Sequence, residues 1–195
     1  MILILCGKSA CGKDAIQKSM IAKGFQPIVS LTTRPMRSGE MPGKTYHFVN
    51  KQTFTRLIEW DELIEYRSYN TIYNNNPDTW FYGIRKFSLD KTADYVVILD
   101  IEGTRAFLDY FGRQNCFVVY IEVPDSIRES RARQRGSFDE SEWKRRLEAD
   151  TRDFAKELVD EVQSITVFNT TDLSDCVEKI EHEFDETKRW FEDTD

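Results

Sequence analysis

The N-terminal segment constrains the fold of this chain more than any other part of the sequence. Residues 2–6 form a short continuous apolar run, ILILC, which predicts a buried parallel strand. A glycine-containing loop follows, and a helical pattern over residues 14–23 stops at Gly24, a suitable residue for a helix C-terminus. The sequence therefore predicts a strand, a tight loop and a helix in immediate succession.

The loop matches the pattern G-x-x-x-x-G-K from Gly7 to Lys13. Consecutive backbone N–H groups at a helix N-terminus form a cradle for phosphate oxygens, and the lysine reaches the β- and γ-phosphates of a nucleoside triphosphate. A plain glycine turn between strand and helix is the alternative. The residues predicted to contact the triphosphate are Gly7, Lys8, Ser9, Ala10, Cys11, Gly12, Lys13 and Asp14.

Asp14 departs from the usual pattern, which has Ser or Thr at this position to hold Mg²⁺. A carboxylate there either coordinates the ion or complements the positive end of the helix dipole. Asp100, near the end of the apolar run over residues 95–101, is a second candidate Mg²⁺ ligand, acting through water. A plain strand-end acid is the alternative for Asp100.

A second polar segment, residues 30–49, reads SLTTRPMRSGEMPGKTYHFV. It carries Arg34, Arg37, Glu40 and Tyr46 within a few residues of two glycines. Arginine forks match phosphate oxygens and a tyrosine hydroxyl adds a neutral donor, so this segment suits a small phosphorylated ligand. With the phosphate loop upstream, the sequence predicts an enzyme with one phosphate site for a donor and one for an acceptor.

Strands and helices alternate along the chain, which implies βαβ units and an α/β fold with a parallel sheet. The strongest buried strands are predicted over residues 95–101 and 117–123. The other predicted elements are strands over residues 27–31, 46–49 and 165–169, helices over residues 53–65 and 176–191, and a long polar loop over residues 67–79.

Residues 126–152 are dense in arginine. Ser137 and Glu140 are spaced as a capping box that opens a helix. We expect Arg128 and Arg133 to be solvated charges on a helix surface. A nucleic-acid patch is disfavoured because acidic residues are interspersed and the chain carries a net charge of −7.

The 195 residues suit a single domain. Four scattered cysteines without a C-x-x-C pair, and two histidines without zinc-like spacing, predict no metal site of nitrogen and sulfur ligands. Free cysteines fit a reducing cytoplasm. The short N-terminal apolar run does not resemble a secretory signal, and no apolar stretch reaches membrane-spanning length, so we expect a cytoplasmic protein.

The segment TTRPMRSGEMPGKTYHFV follows the pattern T-T-R-x-x-R-x-G-E-x-x-G-x-x-Y-x-F-V throughout, and with it the chain resembles the guanylate kinase family. The likeness continues through FTRLIEWDELIEY, FYG, VILDIEG, RARQRGSFDESEWKRRL and FNTTDL, in the family's order. It implies a P-loop NTPase-type parallel sheet flanked by helices, a small mixed acceptor-binding subdomain and a helical lid. The implied single domain, residues 1–195, has a core of residues 1–30, 85–125 and 151–195, a GMP-binding subdomain of residues 31–84 and a lid of residues 126–150.

The resemblance implies phosphoryl transfer from ATP to GMP or dGMP in purine nucleotide metabolism, with Mg²⁺ as cofactor. Glu65 would accept hydrogen bonds from the N1 and N2 edge of guanine. Asn169 would lie near the adenine of ATP. The acceptor phosphate would be held by Arg34, Arg37, Tyr46 and Tyr82, with Ser30 and Glu40 close by, and the transferring phosphate would meet Lys13, Arg131, Arg135 and Arg146.

Three features differ from the usual family pattern: Asp14, the long segment over residues 67–79, and Ile84 in place of a hydroxyl residue that reads guanine. They leave open a different acceptor, either another (deoxy)nucleoside monophosphate or a phosphorylated sugar. A non-catalytic domain that binds phosphopeptides is a further alternative, which the intact lysine and arginines disfavour. We expect a monomer or homodimer.

Overall fold

The computed structural model of the chain describes residues 1–37, 39–73, 76–134 and 138–193, apart from the side chains of residues 72 and 192. The chain forms two compact units. The large unit comprises Met1–Pro27 and Lys91–Asp195, and the small unit comprises Ile28–Asp90. The small unit thus contains the whole range, residues 31–84, in which the sequence places the acceptor-binding subdomain.

The elements follow one another as β1 (Ile2–Cys6), α1 (Lys13–Ala22), β2 (Gln26–Pro27), β3 (Leu31–Thr32), β4 (His47–Phe48), α2 (Lys51–Glu59), β5 (Leu63–Tyr73), β6 (Asn76–Arg85), β7 (Tyr95–Ile98), α3 (Ile101–Phe111), β8 (Cys116–Glu122), α4 (Asp125–Gln134), α5 (Glu140–Asp153), α6 (Lys156–Val162), β9 (Ile165–Phe168) and α7 (Leu173–Glu192).

The large unit is built on a parallel sheet in the order β2-β7-β1-β8-β9. All residues of the central strand β1 are completely buried, as its continuous apolar run predicts. Leu3 and Leu5 belong to the main core with residues of α1 and α7, and α3 packs against α6 and β8. No helix in the described part of the chain combines the length and apolar character needed to span a membrane.

The small unit has a mixed four-stranded sheet in the order β4-β3-β6-β5. Helix α2 begins after Asn50, whose side chain caps it by accepting a hydrogen bond from Thr53 N–H at 2.7 Å. Its buried face packs Phe54 and Leu57 with Leu31 and Leu63. This separate apolar cluster gives the small unit a core of its own.

The prediction of a long loop over residues 67–79 was wrong. Residues 67–73 and 76–79 lie in the antiparallel hairpin of β5 and β6, which pair continuously from Glu65 opposite Ile84 to Tyr73 opposite Asn76. The aromatic and β-branched residues within this range have the composition of strands, which outweighs its polar residues.

Other predicted boundaries also change. Helix α2 ends at Glu59, so Glu65 lies on β5 rather than in a helix over residues 53–65. The single strand predicted over residues 27–31 is two short strands, β2 and β3, which belong to different sheets. Strand β7 ends at Ile98, because Asp100 caps α3 and turns the chain.

Candidate active site

The phosphate loop runs from Gly7 to Gly12 between β1 and α1. A side chain at Gly7 would place its Cβ 2.7 Å from the carbonyl oxygen of Ile121. Gly12 has φ of 103°, and a Cβ there would lie 2.3 Å from Nδ2 of Asn169. Both glycines of the sequence motif are therefore required by the close packing of the loop.

Lys13 folds its side chain back over this loop. Its Nζ donates hydrogen bonds to the carbonyl oxygens of Gly7 at 2.6 Å and Lys8 at 3.0 Å. Lys13 is also the first residue of α1, whose first backbone N–H groups have no partners within the helix. The Lys13 ammonium and the N-terminus of α1 thus lie at the same loop.

Asn169 and Arg131 hydrogen-bond to the backbone of the phosphate loop. The side chain of Asn169 is 3% exposed and donates from Nδ2 to the carbonyl oxygen of Cys11 at 2.8 Å. Arg131 donates from Nη1 to the same oxygen at 3.4 Å and from Nη2 to the carbonyl oxygen of Asn169 at 2.9 Å. Both residues therefore contact the phosphate loop, through its backbone.

The prediction that Arg128 is a solvated charge was wrong, and its partner Asp150 was not among the predicted residues. Arg128 is 1% exposed and Asp150 is 6% exposed. Arg128 Nη1 donates to Asp150 Oδ2 at 2.7 Å, and both residues bond to Ser9 in the phosphate loop. Asp150 shares the helical spacing of the apolar residues Trp143 and Leu147, so its burial could have been inferred from that pattern.

The other arginines of this region differ. Arg133 pairs on the surface with Glu129 and Glu140, which confirms the expectation for this residue. Arg146 is exposed and donates from Nε to Glu142 at 2.8 Å. The predicted residues Arg135 and Ser137 lie outside the described part of the chain. Helix α5 nevertheless begins at Glu140, with Asp139 as its N-cap.

In the small unit, the predicted phosphate-site side chains lie together. Arg34 is 4% exposed and donates to Glu40 from both terminal nitrogens, at 3.1 and 2.6 Å. Glu40 also accepts from the backbone N–H of Arg37 at 2.7 Å. The Arg34 guanidinium lies 5.5 Å from the ring centroid of Tyr46. The rings of Tyr46 and Tyr82 pack edge to face, with their centroids 5.9 Å apart. The Arg37 side chain is exposed beside this cluster.

These contacts shift the ionisation of the cluster. The hydrogen bond from Arg34, followed by that from the Arg37 backbone, holds the pKa of Glu40 below its ordinary value. The same bond to Glu40 raises the pKa of Arg34. The cluster is therefore a fixed cation and a fixed anion before any ligand binds.

The predicted base-reading residue lies on the hairpin. Glu65 of β5 stands opposite Ile84 of β6 in the register of the two strands. The side chain of Glu65 is 10% exposed, and its Oε2 lies 3.8 Å from Nη1 of Arg67. Ile84 is 2% exposed, so the residue that replaces the family's hydroxyl group packs in the interior.

The remaining predicted residues occupy element ends. Asp100 precedes α3 and accepts a hydrogen bond from the backbone N–H of Gly103 at 2.7 Å. Asp14 is exposed in the first turn of α1. Ser30 precedes β3, and its carbonyl oxygen accepts from the backbone N–H of His47 at 2.9 Å.

Nearly the whole chain is similar to one family of known proteins. The guanylate kinase family model matches residues 1–187. The chain belongs to the guanylate kinase family. The guanylate kinase of Anaplasma phagocytophilum is 33% identical over 140 residues, which cover 68% of this chain and 62% of that relative, less than two thirds of its length. The guanylate kinase of Caldanaerobacter subterraneus is 27% identical over 183 residues, covering 92% of this chain and 82% of that relative.

A solved guanylate kinase structure shares the fold. The crystal structure of the enzyme from Anaplasma phagocytophilum matches with a TM-score of 0.67 at 22% identity, covering 96% of this chain and 86% of that one. The expectation of a parallel sheet flanked by helices is therefore confirmed. The guanylate kinase family pattern over residues 32–49 is the part of the small unit that carries the cluster of Arg34 and Glu40.

Glu40→Gln should remove a pH-dependent contribution to stability. The pKa of Glu40 in the fold lies below its ordinary value of 4.5, so the ionised carboxylate stabilises the fold above pH 4.5. This contribution is lost as the pH falls through the lowered value. Thermal unfolding should therefore show a lower midpoint for the variant at pH 7, and a difference that shrinks below pH 4.5.

Glu59→Gln is the matched control for Glu40→Gln, because Glu59 is exposed in the same unit. Its unfolding midpoint should follow that of the unmodified chain at every pH. A constant difference between the Glu40→Gln variant and the unmodified chain from pH 7 to acid would contradict the assignment.

Proposed function

We propose that this protein transfers the γ-phosphoryl group of ATP to GMP or dGMP, giving ADP and GDP or dGDP. The observation that carries the proposal is the buried Arg34, held by Glu40 beside Tyr46 and Tyr82. This cluster offers cationic and hydroxyl donors for an acceptor phosphate, in a chain whose phosphate loop suits a nucleoside triphosphate. The family and its relatives' names support the same reaction.

In the proposed reaction an oxygen of the acceptor phosphate attacks the γ-phosphorus, and the bond to the β,γ-bridging oxygen breaks. ADP leaves with that oxygen. The attacking oxygen is already anionic, so the reaction needs no general base. The requirement on the protein is to position two anions and neutralise their charge.

On the donor side, the backbone N–H groups at the start of α1 and the Lys13 ammonium would bind the β- and γ-phosphates. Lys13 would exchange its bonds with the loop carbonyls for phosphate oxygens. Arg131 and Arg146 are proposed to stabilise the transferring phosphoryl group, together with Arg135 from the predicted lid. Asn169 is proposed to lie near adenine while it also braces the loop at Cys11.

On the acceptor side, we assign phosphate binding to Arg34, Arg37, Tyr46 and Tyr82. Glu40 keeps the Arg34 guanidinium in place, and Ser30 belongs to the strand connection beside it. Glu65 is proposed to accept hydrogen bonds from guanine, because a carboxylate accepts from both N–H groups of the base edge. Its position on a strand rather than a loop fixes its direction.

The carboxylates of Asp14 and Asp100 supply the hard oxygen ligands that Mg²⁺ requires, and Asp14 is exposed directly after Lys13. The residues present therefore fit this ion, with Asp14 and Asp100 as its proposed ligands. Held there, Mg²⁺ would neutralise part of the negative charge on the phosphates of ATP. The buried thiols of all four cysteines support our further proposal of a cytoplasmic location.

A second candidate function keeps the donor and changes the acceptor. Ile84 is buried and apolar opposite Glu65, so it offers no hydroxyl for the base. The extended hairpin is the other difference. These two features favour a (deoxy)nucleoside monophosphate other than GMP, or a phosphorylated sugar, if Glu65 alone does not select guanine.

ADP release from Mg-ATP with a panel of GMP, dGMP, AMP, CMP, UMP, dTMP and ribose 5-phosphate tests the proposed function. We expect turnover with GMP or dGMP only. Turnover with another member would replace the proposed acceptor. If the protein binds ATP but turns over none of these compounds, the acceptor is outside the panel. If it does not bind ATP, it is a binding module.

Lys13→Ala should lower kcat/KM by at least about a hundredfold, roughly 3 kcal/mol, because the ammonium acts on charge that develops in the transition state. Folding should be little affected, since the loop is held mainly by its backbone and by Asn169. Steady-state kinetics and thermal unfolding measure the two effects. Lys18→Ala, an exposed lysine on the same helix, is the control and should retain the activity.

Glu65→Gln should raise KM for GMP by about tenfold or more, because the amide presents a donor to a base edge that is itself a donor. KM for ATP should not change. Glu62→Gln is the control, because Glu62 lies three residues before Glu65 and pairs with Arg85. Equal effects of both substitutions on KM for GMP would contradict the role of Glu65.

A further inference from the structure

Ser9 is held by three hydrogen bonds from two helices. Its backbone N–H donates to Asp150 Oδ2 at 3.0 Å, and its hydroxyl donates to Asp150 Oδ1 at 3.1 Å. Its carbonyl oxygen accepts from Arg128 Nη1 at 2.9 Å, and that same nitrogen donates to Asp150 Oδ2 at 2.7 Å. We name Ser9, Arg128 and Asp150 together the Ser9 clamp.

Burial of the clamp is energetically unfavourable. Arg128 is 1% exposed, and its second terminal nitrogen donates to Asp125 Oδ1 at 2.6 Å. Its Nε and the indole Nε1 of Trp143 are buried and lack hydrogen-bond partners among the described residues. A buried ion pair is often no more stabilising than apolar residues of similar size, and an unmet buried donor is unfavourable. Fold stability alone therefore does not account for this arrangement.

The loop residues that follow Ser9 have an unfavourable backbone conformation. Ala10, directly after Ser9, has φ of 61°, a left-handed conformation that costs a non-glycine residue about 1 kcal/mol or more. Gly12 follows with φ of 103°. Because the N–H, hydroxyl and carbonyl groups of Ser9 are all occupied, the residue before Ala10 cannot rotate freely. The clamp therefore fixes the entry into the loop.

The clamp also joins the loop to two helices of the same unit. Arg128 lies on α4 and Asp150 on α5, and these two helices contain most of the stretch of residues 126–150 for which the sequence predicts a lid. Any change in the relative position of α4 and α5 must alter either the Arg128–Asp150 pair or the bonds to Ser9. The loop and the two helices are thus mechanically coupled.

We propose that Arg128 and Asp150 are positioning residues that hold the phosphate loop in its ATP-binding shape through Ser9. They act on the loop's backbone and not on the nucleotide. This inference relies on the proposed function only in taking ATP as the ligand of the loop; it does not depend on which acceptor is phosphorylated.

The test is a double variant, Arg128→Met with Asp150→Leu. It removes both charges together, so that no unpaired ion remains buried, and it replaces them with apolar side chains. The unfolding midpoint should stay near that of the unmodified chain. The Kd for Mg-ATP by titration calorimetry and KM for ATP should rise about tenfold or more, because the loop must be ordered at the time of binding. KM for the acceptor should not change.

A second readout needs no nucleotide. Hydrogen exchange of a peptide covering residues 7–14 should be faster in the double variant than in the unmodified chain, because the loop amides are less well fixed. Ser9→Ala, which removes only the hydroxyl bond, should raise the Kd for Mg-ATP less than the double variant does. Arg133→Ala is the control on α4, because that arginine is exposed, and its Kd should stay within about twofold.

A folded double variant whose Kd for Mg-ATP stays within twofold of the unmodified chain would overturn the inference, as would unchanged hydrogen exchange over the loop. If the double variant does not fold, Asp150→Asn is used with the same readouts and the same criteria. If the unmodified chain binds ATP but phosphorylates neither GMP nor dGMP, the proposed function fails while the clamp is still tested by the Kd. An unmodified chain that does not bind ATP would overturn both.

Discussion

Strand β1 pairs with β7 on one side and β8 on the other, and the large unit depends on this pairing. All residues of β1 are fully buried, so neither face tolerates a shift of register that would place a polar residue in the sheet. The chain leaves the strand at Gly7, where the carbonyl of Ile121 allows no side chain. Because Lys13 and α1 follow at a fixed spacing, the packing of one strand determines where the groups proposed to bind phosphate are placed.

Two carboxylates serve the same purpose in the two units. In the small unit Glu40 accepts from Arg34 and from the backbone of Arg37. In the large unit Asp150 accepts from Arg128 and from the backbone of Ser9. Each carboxylate thereby orders an arginine and a loop backbone at once. Binding a phosphate to an already ordered group avoids part of the entropy loss of association.

The sequence predicted most elements and the phosphate loop, because apolar runs and glycine spacing are local signals. It also predicted that Arg34, Glu40 and Tyr46 act together, since they are neighbours in the chain. It failed for the hairpin of β5 and β6, because the prediction gave more weight to the polar residues before Pro77 than to the aromatic and β-branched residues that favour strands. It failed for Arg128 because burial of that residue depends on Asp150, 22 positions away, and on Ser9.

The pairing of Arg128 with Asp150 has a consequence for how this sequence can evolve. Loss of Arg128 leaves the Asp150 carboxylate without its ionic partner in the interior, and loss of Asp150 leaves Arg128 only its pair with Asp125. Breaking a buried pair costs about 3–5 kcal/mol, which is a large part of the stability of a typical domain. Loss of both together lowers the free energy of unfolding much less. The two positions are therefore expected to be inherited as a unit: a descendant sequence would keep both charges or replace both, and single replacements would be short-lived intermediates.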